Sequence, residues 1–125
     1  MSSRLPALGD LEHELLTLLW KHGAMTAVAV RRALHRDLKD PTIRTVLRRL
    51  EEKGYVTHKV ERGTFIYTAK ESQERAAARA VKGIVDKFCG GSLERLLLGL
   101  VEASVIQPKQ LDALVGKVSR ALKAR

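Results

Sequence analysis

A chain of 125 residues suits one compact domain or two very small ones, and its 45% apolar content is that of a folded protein. Aromatics are only 4%, leaving Leu, Val, Ile and Ala to build a core, and the single cysteine excludes an internal disulfide framework and fits a reducing compartment. With 23 Lys+Arg against 14 Asp+Glu, the net charge of +9 favours a polyanionic partner, nucleic acid or an anionic membrane surface.

The apolar runs at 15–20 and 96–101 are far too short to span a bilayer, and MSSRLPALGD has no continuous apolar h-region. Neither membrane insertion nor a signal peptide is expected, and the expected location is cytoplasmic.

A first helix is expected from Asp10 to about His22, stopped by Gly23. Leu8, Leu11, Leu15 and Leu18 line one side, widened by Leu16, Leu19 and Trp20. An extended step at Ala24 and Met25 leads to a second helix capped by Thr26. Its buried stripe is Val30, Ala33, Leu34 and Leu38, with Arg31, Arg32, Arg36 and Lys39 outward. Lys39-Asp40-Pro41 makes a short turn into a third helix, DPTIRTVLRRLEEKG. Asp40 can cap this helix and Pro41 suits its first position. Ile43, Val46, Leu47 and Leu50 fall at i, i+3, i+4 and i+7, a single buried face. Arg44, Thr45 and Arg48 occupy the opposite face, flanked by Thr42 and Arg49. A buried back with a basic, hydroxyl-bearing front has the form of a DNA recognition helix, although an ordinary solvated amphipathic helix shares the pattern.

After Gly54 the period changes to two. Val56, His58 and Val60 alternate with Tyr55, Thr57 and Lys59, and Phe65 and Tyr67 flank Ile66. Glu61-Arg62-Gly63-Thr64 is a polar turn in which Gly63 can take a positive φ. Three helices followed by a hairpin is the winged-helix order, so the expected fold is mostly α with a small β-hairpin. Residues 1–70 would be a winged helix-turn-helix domain, whose third helix enters the major groove while Arg62 on the wing reaches the neighbouring backbone.

Residues 71–125 read as three helices. The stripe Ala77, Ala80, Val81, Ile84, Val85 and Phe88 is broken at Cys89-Gly90-Gly91. Ser92 caps a helix burying Leu93, Leu96, Leu97, Leu100 and Val101, and Pro108 opens a last one with Leu111, Leu114, Val115, Val118 and Leu122. So little material makes a poor independent core, and an intertwined homodimer is expected to cover the stripes. Folding back onto the first domain is the alternative.

LGDLEHELLTLLW, PTIRTVLRRLEEKGYV, VERGTFIYTA and GSLERLLLGLVE, in this order, resemble the penicillinase-repressor family of the BlaI/MecI type. The resemblance implies a dimeric repressor on a palindromic DNA operator, with Thr42, Arg44, Thr45 and Arg48 meeting that operator. On it, Arg31, Arg32, Lys53 and Arg62 would mainly neutralise phosphates, with Arg49 beside them, and Arg44 with the Thr42 and Thr45 hydroxyls would address base edges. Members are commonly released by cleavage in the helix matching SLERLLLGLVE, after a signal from a membrane metalloprotease sensor acting indirectly. The usual Asn-Phe bond is replaced here by Gly99-Leu100. Copper-responsive relatives carry a cysteine-rich motif, whereas this chain has only Cys89.

His13, His22, His35 and His58 show no ligand spacing, and no P-loop, dinucleotide fingerprint or nucleophile elbow appears. Neither a metal, a cofactor nor catalysis is expected. An effector- or thiol-gated regulator, the latter through Cys89, and a protein-interaction adaptor remain the alternatives.

Overall fold

The computed structural model describes residues 5–124. The reading of the N-terminus for a signal peptide falls partly on the first four residues, outside those described. Helices α1 (Asp10–His22), α2 (Ala27–Ala33) and α3 (Asp40–Glu52) are followed by α4 (Gln73–Phe88), α5 (Leu93–Glu102) and α6 (Pro108–Lys123). Strands β1 (Met25–Thr26), β2 (Val56–Glu61) and β3 (Thr64–Ala69) form one antiparallel sheet in the order β1-β3-β2. The chain divides into two compact units, one ending at Ala80 and the other beginning at Val81.

The core of the first unit is the face that periodicity marks on α3. Ile43, Val46, Leu47 and Leu50 are buried with Leu15, Leu16 and Leu19 of α1. Val30, Met25, Val56 and Tyr67 complete the cluster, so every element of the winged helix contributes. Leu8, Leu11, Leu18 and Trp20 pack only at its margin.

Three local expectations are corrected. The N-cap of α3 is Lys39, not Asp40, and its side chain makes no cap bond. Asp40 is instead in the first turn, near the positive end of the helix dipole, and pairs with Arg31. Helix α2 stops at Ala33, so Leu34 and Leu38 reach the core from the connector and not from a helix. This connector is tied down by Arg36, whose guanidinium lies 2.8 Å from Glu14 of α1. The expected two-stranded hairpin gains a third strand, as Met25 pairs with Tyr67 and Thr26 with Ile66. Thr26 still caps α2, its Oγ1 accepting from Ala29 N–H at 3.1 Å.

The division between units falls inside α4 and not at 70/71. Trp20 Nε1 donates to the Glu71 carbonyl at 3.1 Å, and Arg79 holds the Glu71 carboxylate at 2.6 Å. These bonds tie the approach to α4 and its first turns into the first unit. In the second unit Ser92 Oγ caps α5 by accepting from Arg95 N–H, and Gln110 accepts from Gln107 N–H at the start of α6. No helix among the described residues is long and apolar enough to cross a membrane.

Glu12 is the one charged residue buried in the described chain, at 7% exposure. Its carboxylate accepts from Lys53 Nζ at 2.6 Å and from Gly9 N–H at 2.7 Å. The Lys53 bond first, and the Gly9 bond second, hold its pKa below the ordinary 4.5. A lowered carboxylate pKa stabilises the fold fully above that ordinary value and loses the contribution as pH falls through the lowered one. Thermal melts are therefore expected to decline more steeply below about pH 4.5 in the unaltered chain than in Glu12→Gln. Parallel acid limbs would show that the pair contributes no pH-dependent stability.

Candidate nucleic-acid interface

Helix α3 presents its polar side along a groove walled on the other side by the β2–β3 hairpin, with a volume near 690 Å³. Arg44 and Arg48 line it from the helix, and Gly63, Thr64 and Phe65 from the wing. Thr26, Ala27 and Val28, at the junction of β1 and α2, complete its lining with Glu51, His58 and Tyr67.

The wing is a tight hairpin. Pairing runs from Val56–Ala69 to Glu61–Thr64, leaving only Arg62 and Gly63 as the loop. Both have positive φ, 51° and 76°, as a turn matching the right-handed twist of the strands requires. Gly63 supplies this freely; Arg62 adopts it at the exposed tip. The register also sets three rings on one face, because His58 lies opposite Tyr67 and Phe65 opposite Val60.

The arginines divide into two groups. Among the described residues Arg32, Arg44, Arg49 and Arg62 have no acidic partner, and all four are exposed. Arg48 has only a loose one, Glu52 at 3.8 Å on the same helix, a pairing worth little in solvent. Arg31, expected on phosphates, is instead engaged by Asp40, joining α2 to the start of α3. Lys53 is likewise taken up, holding Glu12 and donating to the Ala7 carbonyl at 2.9 Å. Arg49 is absent from the groove lining and lies near enough to Glu12 to help lower its pKa.

The hydroxyls differ too. Thr45 Oγ1 donates to the Pro41 carbonyl at 2.9 Å, which commits its proton and leaves it an acceptor toward a ligand. Thr42 is exposed on the first turn. The structure thus brings Arg44 and Arg48 together in the groove, with Arg62 at the wing tip, and gives Arg31 and Lys53 work inside the fold.

Sequence reasoning missed Glu51, His58, Phe65 and Tyr67, all of which line the groove. Both carboxylate oxygens of Glu51 lie against His58 Nδ1, at 2.7 and 2.8 Å. The imidazole stacks on Phe65 with centroids 4.1 Å apart and planes 9° from parallel. Burial first and the Glu51 charge second push the Tyr67 phenol above its ordinary pKa. A signal for Glu51 existed: it stands seven residues after Arg44, on the stripe that carries Arg48. His58 is accordingly half-buried with a defined partner.

A three-helix head with its basic helix set beside a hairpin defines a winged helix-turn-helix protein. The chain belongs to the penicillinase repressor family, whose model matches residues 8–120. It is 25% identical over 113 residues to the penicillinase repressor of Bacillus licheniformis, across 89% of this chain and 88% of that protein. To the methicillin resistance regulatory protein MecI of Mammaliicoccus sciuri it is 22% identical over 116 residues, covering 91% and 94%. Among solved structures, the DNA-binding domain of the repressor BlaI in solution matches 58% of this chain and 90% of its own length. Identity there is 30% and the TM-score 0.51.

Proposed function

We infer that this chain is a DNA-binding transcriptional repressor acting as a homodimer on a palindromic operator in the cytoplasm. The observation that carries the reading is the stripe of Arg44 and Arg48 on α3, open to a groove shared with the wing. Family membership supports it, as does the likeness of the first unit to a domain described as DNA-binding. Arg44 with Thr42 and Thr45 would address bases, and Arg48, Arg32 and Arg62 phosphates. Selection of duplexes from a random-sequence pool by the full chain is expected to enrich one dyad-symmetric sequence, bound with steep salt dependence. Failure to enrich any sequence would contradict the reading.

The homodimer is supported by the second unit's apolar surface. Phe88 is 75% exposed, and Ile84, Leu93, Leu114, Val118 and Leu122 are exposed as well, while Val85 alone is buried among the apolar residues described from 81 onward. Leu96, Leu97, Leu100 and Leu111 are half-buried and continue the same stripes. A second copy of these helices would remove that surface from water. Sedimentation is expected to give a dimer for the unaltered chain and a monomer for Phe88→Asp with its first unit still folded. A dimer that survives this substitution would place the interface elsewhere.

Release by cleavage at Gly99-Leu100 belongs to the same proposal, with a membrane metalloprotease sensor as the distant trigger. The bond lies within α5, so a protease must first open the helix. Gly99 lowers that cost by about 1 kcal/mol relative to Ala. It is exposed, and nothing stands within 4 Å of where its Cβ would be. Mass analysis of induced cells should find a fragment ending at Gly99; induction with the chain intact would remove this route.

A further inference from the structure

The stripe of α3 that faces the groove does not end on a cation. Arg44, Arg48 and Glu51 stand at i, i+4 and i+7, so a carboxylate closes a row otherwise suited to phosphate. In a groove meant only for affinity this charge is counterproductive, because it repels every phosphate that approaches. Yet Glu51 is not left to solvent: His58 of β2 meets both of its oxygens, and the side chains are only 31% and 28% exposed. His58 is in turn backed by Phe65 of β3, with Tyr67 tilted against it at 5.7 Å. One polar contact thereby joins the recognition helix to the wing, and stacked rings carry it across both strands of the hairpin.

Resting on the reading of the chain as a DNA-binding repressor, we propose that Glu51 is a specificity-determining residue, with His58 as its positioning partner. Through His58 it fixes the distance between α3 and the wing. Only a duplex whose bases let α3 seat in register can then meet helix and wing together. Its charge also penalises duplexes that merely lie along the basic face, where phosphates pass close to the groove. Discrimination is gained at the expense of non-specific affinity.

The test uses the full chain and a duplex that the unaltered chain has itself selected from a random-sequence pool, beside a scrambled duplex of equal composition. Dissociation constants are measured for both duplexes with the unaltered chain, Glu51→Gln and His58→Phe, each accompanied by a thermal melt. Glu51→Gln is expected to bind the scrambled duplex about ten-fold more tightly without gaining on the selected one. The ratio of the two constants then falls about ten-fold, the effect of roughly one mismatched base pair. His58→Phe keeps a ring against Phe65 and leaves Glu51 unpaired. It is expected to lose affinity for both duplexes, and the double variant to regain scrambled binding. A merely structural pair would weaken both duplexes by one factor in every variant, and an unchanged ratio in folded Glu51→Gln overturns the proposal. Should Glu51→Gln fail to fold, the double variant, which keeps a ring against Phe65 and leaves no charge unpaired, carries the same comparison. If the unaltered chain selects no duplex, the DNA-binding reading fails beneath it, a result separable from a failure at Glu51 alone.

Discussion

Leu47→Ala is expected to destabilise the first unit by about 2–5 kcal/mol, the usual cost of a cavity left by a fully buried leucine. Leu47 has no exposed surface and belongs to the cluster that α1, α3 and the sheet build together. Small domains hold only about 5–15 kcal/mol in all, so a loss of this size removes much of the margin. Denaturant unfolding followed by the chain's single tryptophan reads it directly. Trp20 borders the core and is bonded to Glu71, so its environment changes when the unit opens. Arg32→Ala, on an exposed position, should move the midpoint little. A loss below about 1 kcal/mol for Leu47→Ala would mean that the site collapses without a cavity and that α3 is not held by this face.

Arg44→Ala is expected to weaken binding to the selected operator by about 1–3 kcal/mol and to relax discrimination at the base pair it meets. Arg44 is exposed, free of acidic partners among the described residues, and lies on the groove. Arg62→Ala at the wing tip should behave differently, weakening all sequences alike and lowering the salt slope by about one. Titrations at several salt concentrations separate the two. Equal losses on selected and scrambled duplexes for Arg44→Ala would reduce it to a phosphate contact.

The buried face of α3 was legible because four apolar residues at helical spacing leave little choice of orientation. The wing was legible for a similar reason, its alternation being interrupted by the polar turn Glu61-Arg62-Gly63-Thr64, which the strand pairing narrows to Arg62-Gly63. What stayed hidden needed partners distant in sequence. Strand β1 has two residues, too few to show a period, and exists because Met25 and Thr26 find β3 some forty residues on. The end of α2 carries no Gly or Pro; Leu34, Leu38 and the Arg36–Glu14 pair draw the chain out of the helix. Composition likewise counts Arg31 and Lys53 as free cations, whereas each has an acid beside it in the fold. The useful basic surface is therefore smaller and better defined than the net charge implies.

The most direct test of the account is a hydroxyl-radical footprint of the full chain on the duplex it selects. Two protected patches related by a dyad, centred about 10 base pairs or a whole multiple of that spacing apart, are expected, and both should fade with Arg44→Ala. A single protected patch, or a pair indifferent to Arg44→Ala, would contradict a dimer that reads DNA through α3.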